Sequence, residues 1–282
     1  MKRKLLIPGL LVVSLLATSV TMISSCKKKT DDPEKVTGCT NSSALNFNAL
    51  ANEDDGTCVI PEQKERAILL DFTATWCSPC GGQGIPMFEG AITANPNEVV
   101  PMGCHNSDEM SNTITDALLT DYNVSGIPTL VVGNQFDVWG SSALNSAVLS
   151  NNSSAPTVNA CAVMTFSGTS ITIKTQTKFF LPTSGDYYLA TYFVENGLVY
   201  YQESASYNPF THKHVLRGVA AGNEHGELIA TGTIAANKVV NKDYTYTAPS
   251  AWTMANVYVA CVIWKKTGSV WTAENAWQSK AN

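Results

Sequence analysis

The chain has 282 residues, with 18 Lys and Arg against 23 Asp and Glu, a net charge of −5 and 44% hydrophobic residues. That acidic balance excludes nucleic-acid binding through a basic face, and the length allows two packed domains, or one large one, with a tail. Lys2-Arg3-Lys4 opens the chain, an apolar stretch follows over residues 5–23, and Ser24-Ser25 precede Cys26. This reads as a secretory signal of the lipoprotein type over residues 1–25, with Cys26 taking the lipid. A membrane-spanning helix is the alternative, but Pro8, Gly9 and five Ser/Thr positions make it a poor one. Removal of the signal leaves 257 residues and, with the loss of three basic side chains, a net charge of −8.

Export lets thiols persist as disulfides. Beyond Cys26 there are seven cysteines, Cys39, Cys58, Cys77, Cys80, Cys104, Cys161 and Cys261. The odd number requires a free thiol or an intermolecular bond. Residues 26–38, rich in Lys, Asp and Glu, form a solvated tether. Residues 39–61 form a small module, in which a Cys39–Cys58 disulfide would contribute about 3 kcal/mol. CTNSSALNFNALANEDDGTC resembles the GCTDxxAxNYxxxAxxDDGSC module of exported Bacteroidota proteins. Asn52, Asp54 and Asp55 offer calcium-type oxygens, but without spaced carboxylates and a closing Glu a plain turn is the simpler reading.

Residues 62–150 alternate strand and helix. AILLDFTA reads as a buried strand, 81–94 as a helix, 98–104 as a strand, 108–122 as a helix, GIPTLVVG as a third strand, QFDVW as a fourth and 141–150 as a closing helix. Gly81, Gly82 and Gly84 each cost up to about 1 kcal/mol of helix propensity. Either the helix start is loose, or the backbone closely approaches something there. Cys77, placed where that helix begins, meets unpaired N–H groups and the positive end of the dipole. Its pKa should fall below the free value of about 8.5, making it the attacking sulfur. Cys80, one turn on, is the resolving thiol, and Pro79 stiffens the backbone between them. Asp71 on the buried strand has a raised pKa and can take the proton of Cys80; a satisfied core polar residue is the bland alternative. Cys104 and His105 are either metal ligands beside the dithiol or a buried small residue and a loop residue. No metal or other cofactor is expected.

Three separated features resemble thioredoxin: WCSPC from Trp76 to Cys80, Asp71 six residues before Cys77, and Gly126-Ile127-Pro128-Thr129. The resemblance implies a thioredoxin-like α/β fold with catalytic Cys77, Cys80, Asp71 and Pro128, supported by Trp76, Pro79, Ile127 and Thr129. It also implies that Pro128 is cis, faces the dithiol and leaves neighbouring backbone free to pair with an extended substrate.

NNSSAPT, residues 151–157, has a linker's composition. Residues 158–282 then alternate in period two over seven or eight short strands, which argues for an all-β immunoglobulin-like sandwich. Cys161 and Cys261 lie near its first and last strands, either bonded or as two unpaired buried thiols. His212 and His214 would project to one face of a strand in metal-like spacing, with His225 the only further candidate ligand. YNPFTHKHVLRGVAAGNEHGE, residues 207–227, resembles the signature of the twenty-eight-kilodalton outer membrane protein family of Bacteroidota, with Lys213 and His225 departing from its usual Asn and Trp. The resemblance spans residues 62–282. It implies an outer-membrane lipoprotein with a thioredoxin-like domain and a β-sandwich, facing the periplasm or the cell surface.

Two functions follow. In the first, the dithiol exchanges disulfides with exported proteins or a partner redox protein. In the second, the chain is a non-catalytic envelope binding or structural lipoprotein whose thioredoxin-like domain is a scaffold. The lipid is the expected membrane contact, and nucleic acid is not an expected partner.

Overall fold

Seven consecutive buried residues form β1 (Ala67–Thr73). They are apolar apart from Asp71 and Thr73, as suits a strand covered on both faces. The computed structural model describes residues 34–279, so the expected signal segment and Cys26 lie outside the described residues; from Val36 onward the chain forms one compact unit. Ahead of β1, Cys39 and Cys58 are joined by a disulfide. Asp54 and Asp55 accept hydrogen bonds from Gly56 and Thr57 N–H within their own turn.

After the dithiol loop comes α1 (Ile85–Ala94), then β2 (Val99–His105), parallel to β1 in the register Ala67 to Val99 through Thr73 to His105. α2 (Thr113–Asp121) starts five residues later than the sequence pattern suggests. Asn112 caps it by accepting from Ile114 and Thr115 N–H, leaving Asp108 in the preceding loop. β3 (Thr129–Val132) runs antiparallel on the other side of β1. The expected fourth strand over QFDVW is absent: Gln135 makes a single bridge to Val132, and Asp137, at φ 54°, turns the backbone away before a ladder can extend. α3 (Ser141–Asn151) follows.

The second half adds the hairpin β4 (Val158–Ser167) and β5 (Ser170–Phe179), then β6 (Asp186–Glu195), β7 (Val215–Val219), β8 (Glu227–Ala230), β9 (Val239–Thr247) and the hairpin β10 (Val257–Thr267) and β11 (Val270–Gln278). β7 pairs parallel with β2 through Val215 and Gly103, so one sheet runs β11-β10-β6-β7-β2-β1-β3, with β8 also beside β6. β4, β5 and β9 form a separate three-stranded sheet.

Alternation along the strands gives the long sheet two faces. On one, Ile68, Leu70, Phe72, Met102, Ala190, Tyr192, Leu216 and Val262 share a core with Leu118 of α2. On the other, Ala67, Leu69, Leu130 and Val132 pack under Phe88 and Ala91 of α1 and Leu144, Ala147 and Val148 of α3. Further along that same face, Leu189, Phe193, Val259 and Ile263 meet Val158, Ala160, Ile171 and Ile173 of the three-stranded sheet. Cys161 and Cys261 are buried and unbonded.

Candidate active site

β1 delivers Thr75, Trp76 and Cys77 to the end of the sheet, and a helical turn starts at Ser78. Cys77 and Cys80 are joined by a disulfide. Cys80 is fully buried and Cys77 is 4% exposed. The Cys80 N–H points at Cys77 Sγ at 3.1 Å, so a thiolate at Cys77 would accept a hydrogen bond at the helix start, the arrangement that stabilises it. Pro79 is exposed and sits in the helical region at φ −62°. Residues 80–84 form a π-helical turn leading into α1.

The Ile127–Pro128 peptide is cis, and the Ile127 carbonyl oxygen lies 3.7 Å from Cys77 Sγ. Thr129 Oγ1 donates to the Gly126 carbonyl at 2.7 Å and so braces this loop. A Cβ on Gly84 would stand 2.8 Å from Pro128 Cβ and 3.9 Å from Asp71 Oδ1; the missing side chain is what lets the helix, the Pro128 loop and Asp71 meet. Trp76 is 56% exposed beside the dithiol, its indole N–H donating to the Asn106 carbonyl. With Asn106, Leu119 and Val124–Ile127 it borders a cleft of about 320 Å³.

Asp71 is 2% exposed, and burial pushes its pKa up to about 7. Its Oδ1 has no hydrogen-bond partner among the described residues, and the same holds for Thr73 Oγ1 and His212 Nε2. Asp71, Thr73, His105 and His212 line a cavity of about 20 Å³, the scale of one water molecule. His105 is not a loop residue: it ends β2, buried, with Nδ1 2.7 Å from Asp108 Oδ2. Burial opposes ionisation of Asp108, but the bonds from His105, Thr75 N–H and Met110 N–H hold its pKa below the ordinary value. Cys104 is buried and unbonded.

His212 and His214 do not share a strand face. A short strand over Phe210–His212 ends at His212, His214 adopts φ 57°, and pairing resumes at Val215. His212 faces His105 edge-on at 5.2 Å between ring centres, and burial pushes its pKa down to about 4. His214 Nδ1 lies 2.8 Å from the Tyr258 hydroxyl instead.

The largest surprise at the dithiol is its cover. Gln202, fully buried, donates from Nε2 to the carbonyls of Ala74 and Cys77. Glu203 N–H donates to Thr75 O at 2.8 Å, and Ser204 Oγ is 2.7 Å from Ser78 Oγ. Asn208 exchanges two hydrogen bonds with the Gln202 backbone and fixes this segment. A Cβ on Gly81 would sit 2.0 Å from Glu203 O, whereas one on Gly82 would meet Ser204 Cβ at an ordinary 3.8 Å. The glycine cluster therefore marks a close approach, but nothing local in the sequence names residues 202–205 as the approaching segment.

Residues 57–146 match the family described as Thioredoxin. Residues 115–282 match the family described as Outer membrane protein Omp28. The chain belongs to the Omp28 family. Among solved structures, this Omp28-family chain is similar to HBP35 of Porphyromonas gingivalis, at a TM-score of 0.67 and 16% identity over 79% of this chain and 77% of that one, a likeness of fold. A domain of the outer membrane lipoprotein Omp28 from the same organism matches at a TM-score of 0.31 and 17% identity, over 45% of this chain and 89% of that one. Spo0M, a sporulation control protein from Bacillus subtilis, matches at 0.25 and 16%, over 44% of this chain and 48% of that one. No curated protein matches the chain.

Proposed function

We propose that this Omp28-family protein is a thiol–disulfide oxidoreductase of the cell envelope, held in the outer membrane by a lipid on Cys26 and facing the periplasm or the cell surface. The observation that carries this reading is the placement of Cys77 Sγ against the Cys80 N–H at a helix start, with a buried carboxyl, Asp71, on the strand that leads to it. In the reduced protein the Cys77 thiolate attacks a substrate disulfide and forms a mixed disulfide, releasing one substrate thiolate. Cys80 then gives its proton to Asp71, and its sulfur attacks Cys77 Sγ. The second substrate thiolate leaves, and the Cys77–Cys80 bond seen in the structure forms. The substrate gains two electrons and the protein loses two; run backwards, the same steps oxidise a substrate dithiol. Exported proteins, or a partner redox protein, supply the disulfide.

The segmental organisation proposed is a tether over 26–38, the disulfide module over 39–61, the thioredoxin-like domain over 62–150, a linker over 151–157 and an immunoglobulin-like sandwich over 158–282. The packing of the three-stranded sheet on β6 and β10 supports the last of these. A second reading, in which the thioredoxin-like domain is only a scaffold for binding, draws on the cover over the dithiol by Gln202–Ser204 and the 4% exposure of Cys77.

Reduction of an insulin-type disulfide by the purified protein, together with Cys80→Ser, decides between them. The redox reading expects turnover in the wild type and a mixed disulfide trapped at Cys77 in the variant. Absence of both, with the same envelope partner recovered by wild type and by Cys77→Ala/Cys80→Ala, would establish the scaffold.

A further inference from the structure

We propose that Asp121, Glu224 and His225 form a binding site for a divalent transition-metal cation, zinc by its donor chemistry, where the end of α2 meets the loop joining β7 to β8. Asp121 is the last residue of α2, and Glu224 and His225 follow one another in the loop. One donor atom from each lies within 4.8 Å of the others.

The decisive group is the His225 imidazole. The residue is 1% exposed, and its Nδ1 makes no hydrogen bond. The acceptors facing it are Glu224 Oε1 at 3.4 Å and Asp121 Oδ2 at 3.7 Å. Those separations exceed the ordinary hydrogen-bond range of about 2.7–3.2 Å. They approach the spacing of two ligands on one tetrahedral ion: bonds of about 2.0–2.2 Å place neighbouring donors about 3.3–3.6 Å apart. The ring is held in that orientation, stacked on Trp271 at 3.9 Å and 5° and edge-on to Trp264 at 4.9 Å.

The rest of the site is built to match. Gly226, at φ 78°, packs so tightly that a Cβ there would stand 1.9 Å from Leu189 O, and the Tyr192 hydroxyl donates to the Glu224 carbonyl. The loop is therefore fixed before any ligand arrives. Asp121 places a carboxylate at a helix C-terminus, where the macrodipole disfavours an anion, and beside a second carboxylate. A cation between them offsets both repulsions. One nitrogen and two oxygens suit zinc and its neighbours, whereas magnesium and calcium take oxygen ligands. Three protein ligands leave a position open, here toward a cleft of about 300 Å³ bordered by Tyr122, Trp264 and Trp271. The alternative without a metal is a protonated His225 held between two carboxylates.

The test is a zinc titration of the full chain, chelator-treated and with the Cys77–Cys80 disulfide intact so that the dithiol does not compete. Calorimetry, Trp emission and thermal unfolding are followed together. The expected result is one equivalent of zinc per chain, a changed Trp emission and a raised melting temperature, with at least a tenfold weaker affinity in Asp121→Asn and in His225→Ala and none lost in His212→Ala. Magnesium at the same concentration should do none of this. Asp121→Asn, on an exposed side chain, decides the matter alone if His225→Ala fails to fold. Absence of zinc binding by the folded wild type, or binding unchanged in Asp121→Asn, would overturn the site and leave the histidine–carboxylate cluster as an ion pair.

Discussion

Adding one methyl group at Gly81 should reverse the usual effect of replacing a helical glycine by alanine. On an unobstructed helix the change is worth up to about 1 kcal/mol in favour of Ala. Here the new Cβ would stand 2.0 Å from Glu203 O and 3.0 Å from both Ala205 N and Gln202 Cγ. Two of these are backbone atoms of a segment fastened through Asn208, so the contact cannot be relieved by a side-chain rotation. Overpacking of this kind costs about 1–3 kcal/mol. Displacing residues 202–204 also loosens the bonds to Ala74, Cys77 and Thr75 carbonyls, at about 1 kcal/mol each. Set against the helix gain, the net loss is about 3–5 kcal/mol, or about 6–20 °C in melting temperature for a protein of this size. Gly82→Ala is the internal control: its Cβ meets only Ser204 Cβ at 3.8 Å, and it should be neutral or stabilising. Thermal unfolding of both variants gives the two signs directly. A Gly81→Ala protein as stable as wild type would refute the close approach, and with it the claim that the second half of the chain covers the dithiol.

Four further outcomes are expected. Asp71→Asn should stabilise the fold at high pH only. A carboxyl ionising near 7 in the fold and 3.8 when free loses native stability as pH rises between those values. The advantage of Asn should therefore be absent at pH 4 and reach up to about 4 kcal/mol above pH 7 in urea unfolding; an equal effect at both pH values would show that Asp71 is not raised. Arg217→Ala strips the partner from Glu195, a buried carboxylate 3.2 Å away that also accepts from Thr253 N–H, and should cost about 3–5 kcal/mol in chemical denaturation while leaving disulfide exchange intact. Cys104, Cys161 and Cys261 are buried, and burial raises each thiol, Cys261 to about 12, so peptide mapping should find none of the three labelled by a thiol reagent in the native protein and all three after unfolding. Gly84→Ala, whose Cβ would press on Pro128 at 2.8 Å, should slow disulfide exchange measured at fixed protein concentration; unchanged rates would mean that the loop yields freely.

What the sequence made legible follows the range of the interactions involved. Cys77, Cys80, Asp71 and Pro128 could be read together because they stand in three short stretches that resemble thioredoxin, and the structure gathers them at the end of one sheet. QFDVW failed as a strand for a reason equally local but weaker: its alternation competes with the backbone turn at Asp137, φ 54°, and the turn wins. His214 failed likewise, since a left-handed residue between His212 and Val215 breaks the period-two alternation that a strand needs. Asp108 reads as the start of a helix by composition, yet Asn112 offers the better cap, and Asp108 becomes free to orient His105.

Contacts between the two halves are of another kind. Val215 pairs with Gly103, and Gln202 reaches Cys77 O across 125 positions, without any repeating pattern to announce them. Their imprint on the sequence is indirect: a helix start that tolerates three glycines despite the propensity they cost. At Gly81 that tolerance reflects a need for space, and the distance from its absent Cβ to Glu203 O shows what occupies it, whereas Gly90 in the following helix has open space opposite. The same logic separates Gly81 from Gly82, which adjoin in sequence and differ only in what lies opposite. The dithiol of this protein is therefore shaped from two sides, by the Pro128 loop on one and by residues 202–204 on the other.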